Sequence, residues 1–304
     1  MTQIQVATLP RSADAGVDVA HAIRQARARR QRRAALVKHA FLIAASFIMI
    51  YPLLWLVSAS LKPDNEIFGN LWLVPSEFQW SNYVEGWDAL VVSFTTFFWN
   101  STVVTVLSVI GNVLSCSFTA YAFARLEFTG KNVWFALMMM TLMIPYHIVL
   151  IPQYLLFLKL GWVDTYLPLI VPKFLASDAF FIFLMVQFFR QLPRELDEAA
   201  MIDGCSPFKI YWAIIMPLSV PAMATAAIFS FIWTWQDFLG PLVFLNDVKD
   251  YTVPLALRMF TSQDSVSLYG EMFAMSVLSI IPIFLFFVLF QRLIVRGIAM
   301  SGLK

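Results

Sequence analysis

Charge is scarce in this sequence of 304 residues. Asp, Glu, Lys and Arg make up 13% of it, where a soluble chain of ordinary composition carries about a quarter. So few charges cannot cover a water-facing surface for a chain this long. Cysteine is nearly absent as well. Cys116 falls in an apolar run and Cys205 in a charged loop, which excludes a disulfide framework and a thiolate metal cage. The three histidines, His21, His39 and His147, lie far apart and form no zinc-binding spacing. Neither a metal nor a cofactor is expected. The net charge of +2 says little in bulk, and no nucleic-acid partner is expected from it.

What the chain holds instead is apolar. Hydrophobic residues make up 60%, with 29 Phe and 10 Trp, and the mean hydropathy is +0.74. No water-soluble core hides that much, so an all-α integral membrane protein is predicted. A bilayer core of about 30 Å needs roughly 20 apolar residues per helix. Six stretches meet or approach this: 36–61, 97–124, 132–158, 167–189, one within 210–238, and 272 to about 294. Lys173 and Asp178 interrupt the fourth. With the N-terminus inside, only Lys62, Lys159, Lys173, Lys249 and Arg258 of the 21 basic residues fall outside. That asymmetry places both termini in the cytoplasm.

Residues 1–35 are polar and Arg-rich and read as a basic cytoplasmic arm ahead of a membrane domain at 36–304. The arm has no apolar core, and the run behind it is long enough to span, so it is not a cleavable signal peptide. Asp14, Asp18 and the sparse Ser argue against a transit peptide. Two outer loops, 62–96 and 237–271, are acidic and longer than a simple connection requires. They offer surface to something outside. In the second, the stretch around Pro254 is semi-rigid and apolar enough to enter a partner's cleft. The other reading is an ordered cap over the helix bundle.

The inner loop after the fourth span is the most informative segment. Pro193 suits a first helical turn, and Glu195, Asp197 and Glu198 follow where the helix dipole favours anions. Leu196, Ala199, Ala200 and Asp203 recur at helical spacing. Gly204 supplies a left-handed stop, after which Ser206 caps a second helix with Pro207 at its first position. A short helix is therefore predicted at about 193–207. A helix lying on lipid would carry large apolar residues and a basic polar face. This one has small apolar residues and three acids, which suits docking to a protein.

The same loop resembles the signature of binding-protein-dependent ABC importer permeases: Glu-Ala-Ala, three residues, Gly, nine residues, Ile, one residue, Leu-Pro. Glu198-Ala199-Ala200, Asp203, Gly204, Ile214 and Pro217 match it, with Met216 in place of Leu. Further stretches resemble the six-helix permeases of the carbohydrate branch. These are Asn100-Ser101-Thr102, Ala120 to Arg125, Trp235-Gln236-Asp237-Phe238, and the Gly-rich ending from Gly297 to Lys304. The likeness covers about 36–304 and leaves the basic arm outside.

The resemblance implies the type I importer permease fold and the transmembrane part of an ATP-driven importer for a sugar or related polyol. Glu198, Ala199, Ala200, Asp203, Gly204, Ile214 and Pro217 would then couple to an ATPase. Ser301, Gly302 and Lys304 would sit at the ATPase interface. The chain has no Walker motif, so ATP would be hydrolysed by a separate subunit and this chain is not itself an enzyme. The implied partners are a second permease subunit in a heterodimer, two ATP-binding cassette subunits, an extracytoplasmic solute-binding protein and the bilayer. The implied site is a bacterial or archaeal plasma membrane.

Sugars are held by aromatic faces and small polar groups in apolar pockets. Candidates for the pathway are Asn112, Tyr146, His147, Trp235, Gln236 and Asp237, with Gln153, Tyr154 and Trp233 beside them. Each also has a structural reading: Asn112 as a bond between helices, Trp233 and Trp235 as interfacial anchors, His147 as the partner of a carbonyl freed by Pro145 or Pro152. Lys173 and Asp178 either pair in a water-filled cavity or mark the outer edge of the fourth span. The competing reading is an ion-coupled secondary transporter, which usually buries acids or His at mid-membrane and often shows inverted repeats. Only His147 is so placed, and no repeat is evident. The spans hold no cluster suited to enzymatic chemistry.

Overall fold

In the computed structural model, residues 12–70, 72–261 and 268–301 are described, with side chains from Arg30 to Leu293 within those ranges. Among them there is helix and turn and no β-strand. The described residues up to Leu56 form one compact unit and those from Val57 onward another. The first unit is the greater part of helix α1, Ser12–Ala59, so helix continues from the apolar span back into the predicted arm. Ala, Arg and Gln, which fill that stretch, are strong helix formers.

Every predicted span has a helical counterpart. Arg30–Ala59, Phe94–Arg125, Leu167–Phe189 and Tyr269–Leu293 are long and apolar enough to cross a membrane. Two bent pairs complete six: Lys131–Thr141 with Tyr146–Lys159, bent by 99°, and Pro207–Leu218 with Val220–Trp235, bent by 77°. The sequence predicts kinks in the third span at Pro145 and Pro152. The main break comes just before Pro145, because a residue ahead of proline is driven out of helical geometry. Pro152 stays inside α6, Tyr146–Lys159.

The fourth span is broken as well. α7, Leu167–Phe174, and α8, Ala179–Phe189, are separated by a stretch in which Ala176 takes a φ of +53°. Pro172 near the end of α7 removes one helical N–H. The carbonyls of this region are met by side chains of the unbroken helix α4, Phe94–Arg125. Ser115 donates to Lys173 O at 2.7 Å, Ser108 to Leu169 O at 3.4 Å, and the Cys116 thiol to Asp178 O at 3.7 Å. Ser177 donates to Pro172 O at 2.8 Å from within the break itself.

α4 also contributes to both apolar clusters. Cys116, Ala120, Tyr121 and Ala124 pack with Phe181, Met185, Phe189, Ile210 and Ile215. Nearer the outer side, Phe94 and Phe97 pack with Phe231, Trp235, Phe260 and Met275. Outer loop one is folded onto the start of the last helix, α15, Tyr269–Ser301. Its helix α3, Ser81–Asp88, approaches closely because a Cβ on Gly270 would lie 2.5 Å from Asn82 Nδ2. Lys62 in this loop is fully buried, with Nζ donating to the carbonyls of Asn70 and Trp72 at 2.7 Å each.

Helices packed within lipid gain no hydrophobic drive against one another, so small residues that let backbones meet carry the contact. Gly111 of α4 is such a point, since a Cβ there would collide with the ring of Phe174. Gly111→Ala is expected to destabilise the protein by about 1–3 kcal/mol through overpacking. Thermal unfolding in detergent measures this, and Phe174→Leu in the same chain should recover much of the loss.

Candidate functional site

The inner loop folds as a helix, a glycine turn and a second helix. α9 covers Glu195–Ile202, with Glu195, Asp197 and Glu198 in its first turn. Pro193 stands ahead of the helix rather than within its first turn. At the other end, Gly204 N donates to Met201 O at 3.0 Å and Cys205 N to Ala200 O at 2.9 Å. Gly204 has a φ of +77°. These two bonds around a left-handed residue satisfy carbonyls that the helix end would otherwise strand. Ser206 Oγ then accepts from Lys209 N and caps α10, Pro207–Ile210, with Pro207 in the first turn. The helix widens to a π turn at Tyr211–Ile215 and runs on through α11, Met216–Leu218.

The faces of α9 differ from the expected pattern. Asp197 and Ala200 are buried, while Leu196, Glu198, Ala199, Met201, Ile202, Asp203 and Gly204 are exposed. The two alanines are thus divided: Ala200 packs inward against the α4 and α8 cluster, and Ala199 faces out beside Ile202, which is 87% exposed. Ile214 is half-buried against the same cluster, and Pro217 is exposed. Beside the packing of Ala200, an ion pair holds the helix in this rotation. Arg125, the last residue of α4, reaches Asp197 Oδ2 at 3.0 Å and donates to Leu192 O at 2.8 Å. Sequence periodicity missed Asp197, because an inward acid looks like a solvent position until its partner is known.

A second constellation lies between α4, α6, α7 and α12, Val220–Trp235. A cavity of about 470 Å³ is lined by Ser101, Thr105, Tyr146, Gln153, Lys173, Asp178, Trp233 and Asp237, among others. Lys173 Nζ and Asp178 Oδ2 lie 2.9 Å apart, so the two charges of the fourth span pair across its break and face the cavity. Asp237 Oδ1 accepts from Gly240 N at 3.1 Å, which holds the start of α13, Leu239–Phe244, against the cavity rim.

Of the six residues proposed for a pathway, Tyr146 and Asp237 line this cavity, as do Gln153 and Trp233. Asn112 is buried between helices, donating to Ser230 Oγ at 3.1 Å and accepting from the Cys116 thiol at 3.0 Å. Trp235 is buried too, and its indole donates to Ser279 O at 3.0 Å. His147 and Gln236 are exposed and outside the lining. Tyr154 stacks on Phe244. Of the tail residues, Ser301 is the last helical position, while Gly302 and Lys304 lie outside the described residues. The described residues contain no cluster of His, Cys, Asp or Glu suited to a metal.

The Pro254 stretch forms helix α14, Val253–Met259, whose Val253, Leu255 and Ala256 are buried. It is ordered against the bundle, with Val253, Leu255 and Ala256 inward and Pro254, Leu257 and Met259 half-buried. Asn100 Nδ2 donates to the carbonyls of Lys249 and Tyr251 at 2.7 and 3.0 Å, and Val253 N donates to Ser101 Oγ at 2.8 Å. The Asn-Ser pair at the outer end of α4 therefore pins the loop. Asp164 pins it from the other side.

The family described as binding-protein-dependent transport system inner membrane component matches residues 111–300. The arabinooligosaccharides transport system permease protein of Halalkalibacterium halodurans is 35% identical over 262 residues, covering 85% of this chain and 92% of that one. The trehalose/maltose transport system permease protein of Thermococcus litoralis is 33% identical over 260 residues, covering 85% and 93%. Among solved structures, a bacterial ABC transporter involved in the import of the acidic polysaccharide alginate superposes with a TM-score of 0.74. That match has 23% identity and covers 86% of this chain and 96% of that one. It shares the fold.

Asp164 generates a pH prediction. Its Oδ1 accepts the backbone N–H groups of Asn246 and Asp247 at 2.8 and 3.1 Å, and these hold its carboxyl below the ordinary range. A lowered carboxylate pKa contributes order that is present above the ordinary value near 4 and is lost as pH falls through the lowered one. Hydrogen exchange should show the Asn246 and Asp247 amides protected at neutral pH and released in acid. Asp164→Asn keeps an acceptor oxygen and should make protection independent of pH. Asp164→Ala should abolish it throughout.

Proposed function

This chain belongs to the binding-protein-dependent transport system inner membrane components, the permeases of ATP-driven importers, and we propose that it imports a sugar or related polyol across a bacterial or archaeal plasma membrane. The protein is a multi-pass membrane permease that works with ATPase and solute-binding components, and ATP is hydrolysed in those separate ATPase subunits. The sugar reading is supported by relatives whose names specify arabinooligosaccharides and trehalose/maltose. An ion-coupled carrier is not favoured by this kinship.

The observation that carries the mechanism is the outward face of α9. Glu198, Ala199, Asp203 and Gly204 are exposed on one short helix, closed by a glycine turn. A small residue between exposed Ile202 and Leu196 lets another surface come close, and the exposed acids Glu195 and Glu198 add direction through charge. In our reading this face seats in an ATPase subunit. Ala200, Ile214 and Pro217 support it from behind, with Ala200 and Ile214 packed on the bundle. Ser301, Gly302 and Lys304 would lie at the same interface. Residues 1–35 would be a basic cytoplasmic arm and residues 36–304 the permease domain. A related second permease subunit would complete a heterodimer.

The solute would pass along the cavity face bearing Tyr146, Gln153, Trp233 and Asp237. Aromatic faces, an amide and a carboxylate there can meet the C–H faces and hydroxyls of a sugar. Asn112 and Trp235 would hold the helices that carry this face, with His147 and Gln236 farther from it. A ligand screen on the cognate solute-binding protein would identify the solute; binding of ions alone, with no sugar or polyol, would overturn the reading.

The glycine turn gives a direct test. Gly204 has open space where a Cβ would go, so the cost of Gly204→Ala is backbone strain alone, about 1 kcal/mol. That change should leave the protein inserted and lower ATP-driven uptake in proteoliposomes several-fold. Glu198→Lys reverses an exposed charge and should lower it further while sparing insertion. Normal uptake by both variants at normal expression would remove α9 from the coupling path.

A further inference from the structure

We propose that Arg125 and Asp197 form a positioning clamp that makes α9 and α4 move as one body, so that displacement of the loop helix is delivered to the cavity. The proposal rests on the coupling reading of α9 given above. Three residues one turn apart on a single face of α4 hold the inner loop at three places. Ser117 shares a hydrogen bond with the Tyr211 hydroxyl at 2.8 Å, and the Tyr121 hydroxyl donates to Pro207 O at 2.9 Å. Arg125 closes the row, gripping Leu192 O with one terminal nitrogen and Asp197 Oδ2 with the other. It thereby ties both ends of the short connection that leads into α9.

Burial is what makes the pair informative. The Arg125 and Asp197 side chains are 3% and 10% exposed, and Arg125 Nε and Asp197 Oδ1 find no hydrogen-bond partner among the described residues. An apolar pair of similar volume would fill such a site as stably or more so, because two charges must be taken out of water. What the ion pair adds is one permitted geometry: a planar guanidinium donating to Leu192 O and to Asp197 Oδ2 from its two terminal nitrogens fixes both distance and direction. Packing already seats Ala200 on the bundle, so the loop has an anchor without the charges.

The route of the force follows from the fold. Without the clamp, α9 reaches the cavity along the chain, back through α8 to Asp178 or onward through the Gly204 turn, the π turn and α12, where Trp233 and Thr234 line it. With the clamp, a straighter route opens through unbroken α4, whose outer part supplies Ser101, Val104 and Thr105 to the same cavity. Both walls then respond to one displacement.

The test uses the full complex, permease with its partner permease, ATPase and solute-binding protein, in proteoliposomes, and reads solute moved per ATP hydrolysed. Arg125→Met with Asp197→Leu replaces the pair by apolar volume. It should assemble and hydrolyse ATP at a near-normal rate, yet move about ten-fold less solute per ATP, the scale of an ordinary coupling free energy. Exchange of the charges by Arg125→Asp with Asp197→Arg should restore part of the ratio. An unchanged ratio in the assembled apolar variant would show that the pair only packs. Should that variant not assemble, Asp197→Glu decides, since it keeps the charge and alters the reach by one methylene. A lowered ratio supports the clamp and an unchanged ratio overturns it. Failure of the wild-type complex to couple uptake to ATP would instead overturn the coupling reading itself.

Discussion

A broken helix inside a bilayer has no water to satisfy the backbone groups it frees, and this constraint shapes the permease body. Its third, fourth and fifth spans are all interrupted. The helix beside them is not: α4 runs 32 residues without a proline. Its Ser115 and Cys116 meet the carbonyls at the fourth-span break, Ser108 meets Leu169 O within α7, and Asn112 reaches across to α12. In the fourth span irregular backbone survives because one regular helix supplies donors to it. The cavity lies against the breaks of the third and fourth spans, at Tyr146 and from Lys173 to Asp178, which is the place such backbone is tolerated.

The same helix is polar at both ends for a related reason. At the outer end Asn100 and Ser101 hold the loop that begins near Lys249, and at the inner end Tyr121 and Arg125 hold the loop that carries α9. Packing buries Val253, Leu255 and Phe260 of the outer loop and Ala200 of the inner one, and hydrogen bonds at the ends of α4 add direction to that packing. Each such bond contributes only about 1 kcal/mol net, yet several together leave a loop one position. On the outer side Asp164, Asn100 and Ser101 act together in this way, which helps to order the Pro254 stretch against the bundle.

Long apolar runs made all six spans legible in sequence, and backbone chemistry made Gly204 and Ser206 legible, since a left-handed turn and an N-cap each call for a small set of residues. Less was legible where a residue's place depends on a distant partner. Asp197 looks like a solvent-facing acid because its cation lies 72 positions away, at the end of another helix. Lys173 and Asp178 were visible as an anomaly, but the break between them was not, for Ala176 is an ordinary helix former held left-handed by its surroundings. Asn112 and Trp235 carried the right chemistry for a pathway, and only the arrangement of helices shows them bonded to neighbours instead.

The bend of the fifth span has a mechanical meaning. Its two arms, Pro207–Leu218 and Val220–Trp235, meet at Ser219 with an angle of 77°, close to a right angle. At 1.5 Å per residue they measure roughly 18 and 24 Å. Such a shape is a bell crank: it turns a stroke along one direction into a stroke nearly perpendicular to it, with a leverage of about 1.3 from those arm lengths. A rigid rotation of about 10° at the elbow would shift the inner tip by roughly 3 Å and the Trp235 end by roughly 4 Å, given those arm lengths. Motion along the membrane normal at the inner tip would thereby become motion parallel to the membrane at the Trp235 end, without any helix having to slide through the bilayer.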